Sequence, residues 1–187
     1  FETYQKIMNE AIEELKENEF KDLYETDTDI ETKEFVKEFT IDTDFELLFP
    51  DEYINNVTER LNLYNELSQI ENENGLQKFQ DKLIDRFGTI PKPALNLLNS
   101  IRIKWKAKQI GVEKLVLKQD KMIGYFIADQ QSDFYQSAKF HKVLQFVQQH
   151  GNLCKMKEKQ TKNGLRLLLT FDNVKTINKA LDLIDKI

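Results

Sequence analysis

The sequence has 187 residues, of which 40% are hydrophobic and 32% are charged, and its formal net charge is −5. With only 6 glycines and 3 prolines, the composition is typical of a soluble globular chain and excludes disordered and fibrous classes. A single cysteine, Cys154, excludes an intramolecular disulfide and favours a reducing cytosol. No apolar run reaches the ~18 residues of a membrane span. The chain starts at Phe1 without a basic segment, so we expect no signal peptide and a fragment or processed chain.

Charge is unevenly distributed along the chain. Residues 1–52 contain 18 acidic and 5 basic residues, whereas residues 101–187 contain 8 acidic and 17 basic residues. Such an asymmetry is typical of a nucleic-acid-binding face, or of two oppositely charged surfaces that attract partners or each other. The isoelectric point near 5.2 disfavours a free-standing DNA-binding protein as a description of the whole chain.

The first half of the chain predicts helices, a linker and an extended arm. Helical spacing of apolar residues predicts a helix over residues 4–20, and residues 21–34 have the acidic, threonine-rich composition of a linker. Residues 35–42 partly alternate, which favours a strand or an extended arm. Further helices are predicted over residues 55–70 and 75–87. The apolar stripe predicted for the first of these is Val57, Leu61, Tyr64, Leu67 and Ser68.

The helix predicted over residues 93–110 is apolar on two opposite sides, which indicates a central helix covered twice. It follows Pro91 and Pro93, which are tolerated in a first helical turn, and Gly111 ends it. One side consists of Ala94, Leu97, Leu98, Ile101 and Trp105, and the other of Ile103, Ala107 and Ile110.

The pattern of the last third of the chain predicts two successive units, each made of two strands and a helix. The predicted elements are strands at 113–118 and 122–127, a helix at 134–149, strands at 153–159 and 165–171, and a helix at 173–187. Turn signals between the members of each strand pair predict β-hairpins. The fold class is therefore α+β: an N-terminal helix and linker, a helical subregion, and then a β-β-α-β-β-α layer.

Catalytic and metal-binding patterns are scarce. The sequence lacks the glycine-rich loops that cradle phosphates. His141 and His150 lie nine residues apart on different faces, a poor arrangement for a metal, and we interpret both as partly exposed helix residues. Cys154 takes an inward strand position typical of a small core residue; a nucleophilic pair with a histidine is the alternative. We expect no catalytic, metal-binding or cofactor-binding residue in this chain.

Two groups of basic residues are candidates for nucleic-acid contacts. The first group, Arg102, Lys104, Lys106 and Lys108, alternates between two flanks of the central helix, so we interpret it as polar edges whose aliphatic stems pack. The second group includes alternate residues of one strand, which share one face of a sheet. A solvated strand face is the alternative interpretation of this group. The candidate basic patch is Lys155, Lys157, Lys159, Lys162 and Arg166.

The run Asp85-Arg86-Phe87-Gly88 has two interpretations. One interpretation is a helix end, with Phe87 buried, Arg86 near the negative end of the helix dipole and Gly88 in the left-handed conformation. The other is a docking surface, because Asp85 and Arg86 would both be exposed beside a fixed turn.

Three stretches together carry a family resemblance. They are Phe49-Pro50-Asp51-Glu52-Tyr53-Ile54 with Arg60-Leu61-x-x-Tyr64, Leu83-Ile84-Asp85-Arg86-Phe87-Gly88-x-x-Pro91 with Leu97-Leu98, and Gln109-Ile110-Gly111-Val112-Glu113-Lys114. In this order they resemble the C-terminal domain of bacterial transcription-repair coupling factors, the Mfd family. The resemblance is strong over residues 45–114 and rests mainly on element order over residues 115–187.

The resemblance implies three parts. Residues 1–20 are similar to the terminal helix of the family's translocase module, residues 21–34 form an acidic linker, and residues 35–187 form a C-terminal regulatory α+β domain. It also implies a parent protein that is an ATP-dependent double-stranded DNA translocase, with ATP and Mg²⁺ bound upstream. That parent displaces stalled RNA polymerase and recruits UvrA for nucleotide excision repair in the bacterial cytoplasm, whereas this chain is expected to be non-catalytic, without a cofactor and without membrane contact.

The family's C-terminal domain packs on the N-terminal UvrB-like module of the same polypeptide and masks the UvrA-binding surface, an autoinhibitory role. The resemblance implies that Asp85 corresponds to an acidic position of the docking helix, whereas Lys82 stands where the family commonly has an acidic residue. The alternative function is a nucleic-acid-binding module that uses the basic C-terminal half. The candidate docking residues are Asp81, Lys82, Asp85 and Arg86.

Overall fold

The computed structural model describes residues 34–161 and 164–187, and in them a mixed sheet of five strands has the order β1-β2-β3-β5-β4. β1 runs parallel to β2, and all other neighbouring strands are antiparallel. The helix predicted at residues 4–20, the linker up to residue 33, and Lys162 lie outside the described residues. The strands are β1 (Thr40–Thr43), β2 (Val112–Lys118), β3 (Lys121–Phe126), β4 (Cys154–Thr161) and β5 (Gly164–Asp172).

Five α-helices accompany this sheet in the described part of the chain. They are α1 (Val57–Ser68), α2 (Glu73–Phe87), α3 (Lys92–Gln109), α4 (Ala138–Gln149) and α5 (Ile177–Ile184). Four begin at a polar side chain that accepts a hydrogen bond from a backbone N–H of the first turn, which satisfies an otherwise unpaired donor. These capping residues are Asn56, Asn72, Ser137 and Thr176. Helix α3 instead follows Pro91 and has Pro93 in its first turn, as predicted.

Both predicted β-hairpins are present. The turn between β2 and β3 has Gln119 and Asp120 at φ values of 53° and 58°, the backbone twist that suits a two-residue connection between antiparallel strands. The second hairpin pairs β4 with β5 from Cys154 opposite Phe171 to Thr161 opposite Gly164. The order β-β-α-β-β-α and the α+β class are therefore confirmed.

Helix α3 lies between two hydrophobic cores, as its two apolar sides predict. Ala94 and Leu98, both fully buried, belong to the helical core, which also contains α1 and α2 residues. Ile103 and Ala107, also fully buried, belong to the sheet core, which α4, α5 and one face of the sheet complete. The Nδ2 of Asn99 donates to the Oδ1 of Asn178 at 2.7 Å and ties α3 to α5. One helix thus links the two halves of the described chain.

Three details of the predicted fold were different in the structure. Only Thr40–Thr43 of the extended arm forms a strand, and it pairs with β2 across the whole helical region. The helix predicted over residues 134–149 is divided at Ser137, which caps α4 after a short 3₁₀ turn. The closing helix starts only at Ile177, because Thr176 caps it. Among the described residues no helix combines the length and apolarity needed to cross a bilayer.

The buried face predicted for α1 was right for Leu67, which is buried, and for Tyr64, which packs on the helical core, but wrong for Val57 and Leu61. Leu63 and Leu67 face the helical core, whereas Val57 and Leu61 are 59% and 58% exposed. The true buried face is rotated toward Leu63, so that two apolar residues are left on the surface. The predicted stripe took Val57, Leu61, Tyr64, Leu67 and Ser68 at helical spacing and left out Leu63, which is buried.

Candidate docking surface

The first motif of the resemblance is a turn held against α1. The backbone N–H groups of Tyr53 and Ile54 both donate to the carbonyl of Pro50 at 3.0 Å. Arg60 then donates to the Ile54 carbonyl at 2.8 Å and pairs with Asp51 at 2.6 Å. These contacts explain the spacing of the motif physically, because one side chain of α1 satisfies both ends of the turn.

A second tie fixes the same segment from its other side. The backbone N–H of Phe49 donates to the hydroxyl oxygen of Tyr64 at 2.8 Å, and the two rings lie 4.8 Å apart. Phe49 itself is buried in the helical core beside Phe79. The motif residues in this stretch therefore stabilise the scaffold, and the exposed residues have to be sought elsewhere.

The C-terminal end of α2 is held in place by Tyr53. Its hydroxyl lies 3.3 Å from the carbonyl of Leu83 and 3.2 Å from that of Gly88, and its ring meets Phe87 edge-on. Burial raises the pKa of the Tyr53 phenol, which keeps it a neutral donor. Gly88 follows with a φ of 80° and closes the helix by donating its N–H to Ile84 at 2.9 Å. The helix end at this run and the positive φ of Gly88 agree with the helix-end interpretation. Phe87, however, is only partly buried, and the ψ of −153° places Gly88 outside the left-handed helical region.

Two ion pairs cross between α1 and α2 beside this end. The Lys82 ammonium lies 2.9 and 2.7 Å from the two carboxylate oxygens of Glu66. One turn further, Arg86 pairs with Glu59 and its guanidinium lies over the Phe87 ring. A groove of about 500 Å³ runs along these pairs. Both predicted cations are therefore neutralised within the domain, by partners 16 and 27 residues away.

The remaining predicted docking residues form an outward row on α2. Asp81 accepts a hydrogen bond from Gln77 at 2.9 Å, and Asp85 is exposed one turn later. In the described part of the chain Asp85 makes no ion pair. Ile84, 47% exposed, lies between them. This row, Asp81, Ile84 and Asp85, is called the acidic row below.

Two apolar residues of α1 that the sequence placed in the core are exposed. Val57 and Leu61 lie one turn apart on α1, on the flank opposite Glu59 at 100° per residue. More than half of each side chain is accessible. Val57 and Leu61 therefore lie on the side of α1 away from the Glu59–Arg86 pair.

The basic residues of α3 are engaged within the domain, in line with their interpretation as polar edges. Arg102 contacts Glu73 through Nε and Nη2, with distances of 2.5–3.0 Å, and also reaches Asn99. Lys106 pairs with Asp185 of the segment after α5. Lys104 is exposed.

The candidate basic patch is divided by the structure. Lys155, Lys157 and Lys159 are exposed on one face of the edge strand β4, as the alternation predicts. Arg166 lies opposite Lys159 in the register, but its guanidinium pairs with Glu113 and its Nε donates to the Phe126 carbonyl at 3.3 Å. Arg166 therefore links β5 to β2 and to the end of β3.

The residues considered for catalysis have local structural contacts. Each histidine ring places its Nδ1 near the carbonyl four residues earlier, 2.8 Å for His141 and 2.9 Å for His150. Cys154 is buried, which raises the pKa of its thiol, and the sulfur faces the His150 carbonyl at 3.6 Å. Residues 34–161 and 164–187 contain no cluster of three or more His, Cys, Asp or Glu side chains suited to a metal ion.

The comparison with protein families gives one decisive match. The TRCF domain model matches residues 43–137, which is half of the chain and runs from the end of β1 to the start of α4. The chain belongs to the TRCF domain family. All three motif stretches of the resemblance lie within the match, and so does the whole acidic row.

Relatives of the TRCF domain chain are named transcription-repair-coupling factor. The protein of Rickettsia prowazekii is 27% identical over 181 residues, which is 96% of this chain and 14% of the relative. That of Escherichia coli is 31% identical over 118 residues, 62% of this chain and 9% of the relative. The chain therefore spans about a seventh or less of the length of these two relatives.

A solved structure has the same fold. The crystal structure of the C-terminal domain of a transcription-repair coupling factor covers 80% of this chain and 95% of its own, with a TM-score of 0.56 at 20% identity. This likeness confirms the α+β class, and the TRCF domain match confirms the expected family. The fold places the family's motif residues in the scaffold of α1 and α2, and it leaves the acidic row on the surface.

Proposed function

We propose that this chain is the non-catalytic C-terminal regulatory domain of a bacterial transcription-repair coupling factor, and that it acts as a reversible intramolecular lid. The parent polypeptide is an ATP- and Mg²⁺-dependent DNA translocase of the cytoplasm that displaces stalled RNA polymerase and recruits UvrA. The lid docks on the N-terminal UvrB-like module and masks its UvrA-binding surface. Membership of the TRCF domain family and the names of the relatives support the parentage.

Asp85 is the observation that carries the docking role. It is exposed at a helix end held by Tyr53 and Gly88, while the neighbouring charges Lys82 and Arg86 are already paired. A carboxylate on a fixed backbone, with no ion pair to another described residue, meets a partner cation without first breaking an internal bond. Little side-chain or backbone order has to be gained on docking, which favours affinity.

The two cross-helix ion pairs reduce the attraction of Lys82 and Arg86 for a charged partner, because each cation already has a carboxylate beside it. Because Lys82 and Arg86 are each paired with a glutamate of α1, the charges that remain on the outward side of α2 are those of Asp81, Asp85 and the exposed Lys78. The carboxylates of Glu66 and Glu59 lie beside the two cations. A carboxylate thus remains next to position 82, although it is supplied by α1 instead of α2.

A lid of this kind needs only a modest interface. Holding the closed state at 99% takes about 2.7 kcal/mol, half of what a full switch from 1% to 99% requires. An interface of about 10³ Å² with charged pairs at its rim fits that range. Ile84 supplies exposed apolar area next to the charges of the acidic row. Tighter docking would keep the lid shut when polymerase engages the factor.

The test measures docking in trans. The 187-residue chain is titrated with the separately purified N-terminal module of the parent polypeptide, by calorimetry at ~100 mM salt. Asp85→Ala is expected to weaken docking about tenfold, which is about 1.4 kcal/mol, without changing the melting temperature by more than a degree or two. Equal affinities of Asp85→Ala and the unaltered chain would reject the docking role of this residue.

The matched control is Asp182→Ala. Asp182 is also an exposed helical aspartate without an ion pair to another described residue, but it lies on α5, beside the sheet core. It removes the same charge from a different surface, so docking is expected to stay unchanged. If both variants weakened docking equally, net charge and not the acidic row would be the cause.

A further inference from the structure

One face of the sheet is left uncovered by the described helices. Strand registers place one set of side chains opposite the sheet core: Lys114, Val116 and Lys118 of β2, Lys121, Ile123 and Tyr125 of β3, Leu168 and Thr170 of β5, and Lys155, Lys157 and Lys159 of β4. None of these residues belongs to either hydrophobic core of the described chain. We call this surface the open face.

The open face carries an excess of positive charge. Its six lysines are exposed, and Asp42 and Asp172 on the same face are each paired with one lysine of β2 or β3. Arg166, opposite Lys159, is paired with Glu113. Four lysines remain without a carboxylate partner among the described residues. Those of β4 make no ion pair within the described chain, and the Lys114 ammonium lies 5.9 Å from the centroid of the Tyr125 ring.

The lysines flank an apolar centre. Tyr125, Ile123 and Val116 are partly exposed, and Leu168, between Tyr125 and Lys157 in the registers, is buried. Three strand spacings of about 4.8 Å separate β2 from β4, so about 14 Å lies between the two flanks. The Tyr125 ring and the aliphatic side chains of Val116, Ile123 and Leu168 therefore lie between the lysines of β2 and those of β4.

Protection of the sheet edge explains only part of this pattern. Lysines on an edge strand discourage pairing with another sheet, which accounts for the three of β4. It does not account for Lys114, Lys118 and Lys121, because β2 and β3 are interior strands. Cations on both sides of an apolar centre indicate a ligand that is a polyanion and also presents flat apolar groups.

We propose that the open face binds single-stranded nucleic acid, with phosphates along the lysines and a base against Tyr125. A single strand offers both chemistries, since every base has a face that stacks on an aromatic ring. A duplex keeps the faces of its bases stacked inside, so they cannot stack on Tyr125, and poly-L-glutamate has no flat ring for the apolar centre. This site is separate from the acidic row and does not depend on the lid.

The test uses a fluorescein-labelled 20-nucleotide thymidine strand, a 20-base-pair duplex and poly-L-glutamate, with the full 187-residue chain. Fluorescence anisotropy is measured from 50 to 200 mM salt. The triple variant Lys155→Gln, Lys157→Gln, Lys159→Gln is expected to bind the single strand at least tenfold more weakly. The slope of log K against log salt should flatten by about 2, the value for three lost phosphate contacts to a single strand.

The matched control is the triple variant Lys142→Gln, Lys175→Gln, Lys179→Gln. These exposed lysines lie on α4, before α5 and on α5, the helical side of the sheet. The control changes net charge by the same amount and is expected to retain nearly full affinity and the original slope. Equal losses in the two triple variants would overturn the open face as the site.

Tyr125→Leu separates stacking from charge. It keeps an apolar side chain at this position, and it is expected to weaken single-strand binding at least fivefold, the lower end for the loss of one stacked base, without altering the salt slope. Asp85→Ala should leave binding unchanged, so failure of the lid proposal and of this one are distinguishable. Binding that is absent at 50 mM salt overturns the proposal. So does tighter binding of the duplex or of poly-L-glutamate.

Discussion

The helical region and the sheet region hold their surface charges in different ways. On α2, Lys82 and Arg86 are paired with glutamates of α1, and the acidic row projects from a helix end fixed by Tyr53. On the open face the lysines of β4 have no such partners among the described residues. Paired charges on a fixed scaffold favour one complementary partner, whereas unpaired lysines attract any polyanion and respond strongly to salt.

The helical region and the sheet region are also held together by different kinds of contact. The helical region is tied together by side chains that reach backbone groups, such as Arg60 on Ile54 and Tyr64 on Phe49. The sheet region is tied by strand pairing over a buried apolar face. Sequence motifs can mark the first kind of contact, while the second requires only alternation. This difference explains why recognisable motifs are concentrated before residue 115.

The largest expected effect tests whether the two regions unfold together. Leu98→Ala removes a fully buried side chain of α3 from the helical core, and should cost about 3–5 kcal/mol. Because α3 also enters the sheet core through Ile103, we expect one transition. Urea unfolding is followed by the fluorescence of Trp105, which packs on the helical core, and by far-ultraviolet circular dichroism. Non-coincident transitions would show that the regions are independent.

Two glycines with positive φ, one at the end of α2 and one before β2, are expected to differ in how well they tolerate alanine. Gly88 and Gly111 have φ values of 80° and 78°, so alanine is strained at both. A Cβ at Gly88 meets nothing within 4 Å, whereas at Gly111 it would lie 2.0 Å from the Phe134 ring. Gly111→Ala should therefore cost about 2–5 kcal/mol and Gly88→Ala about 1–2 kcal/mol.

Thermal and chemical denaturation of both glycine variants checks this order. Gly88→Ala also moves the end of α2 slightly, so its effect on docking should exceed its effect on stability. Equal destabilisation of the two variants would contradict the role of Phe134 in closing the space above Gly111.

A charge swap tests the cross-helix pairs. Lys82→Glu places a carboxylate against Glu66 and should lower stability by less than about 1 kcal/mol, because both groups are some 40% exposed. Adding Glu66→Lys restores the pair in reverse and should recover both stability and docking. The double-mutant cycle is measured by urea unfolding. Additive effects would mean that the pair carries no coupling energy.

The smallest effect is confined to alkaline pH. Burial, with Glu113 nearby, raises the pKa of Tyr135 to about 12, and its hydroxyl donates to the Ile127 carbonyl at 2.6 Å. The folded state therefore keeps this proton between pH 10 and 12, where the unfolded chain loses it, so stability is lost as pH rises through that window. Tyr135→Phe should reduce this loss while the other titrations remain. Identical pH profiles of both chains would contradict the assignment.

Local patterns predicted much of the fold. The period of α2 and α3, the two sides of α3 and both hairpins follow from residues close in sequence. The parallel pairing of β1 with β2 does not, because it joins Thr40 to Lys114 across three helices. The rotation of α1 was missed for a related reason: Val57 and Leu61 are as apolar as Leu63, and only the position of α2 decides which side is buried.

The surfaces were predicted less completely. Exposure of Asp81, Lys82, Asp85 and Arg86 follows from the helix period, but Glu59 and Glu66 become their neighbours only when α1 packs on α2. The alternation of Lys114, Val116 and Lys118 with apolar residues indicates that these three side chains share one face of β2. Which face they occupied depended on the strand registers, and these are set by pairing between distant segments.

The most direct test of the lid uses the complete parent polypeptide and purified UvrA. Asp85→Ala and Asp182→Ala are introduced separately, and UvrA affinity is measured in the absence of polymerase. If the acidic row holds the lid closed, Asp85→Ala raises UvrA affinity toward that of a truncation lacking residues 45–187, and Asp182→Ala leaves it unchanged. If the truncated and complete polypeptides bind UvrA with equal affinity, the surface is not masked and the account is wrong.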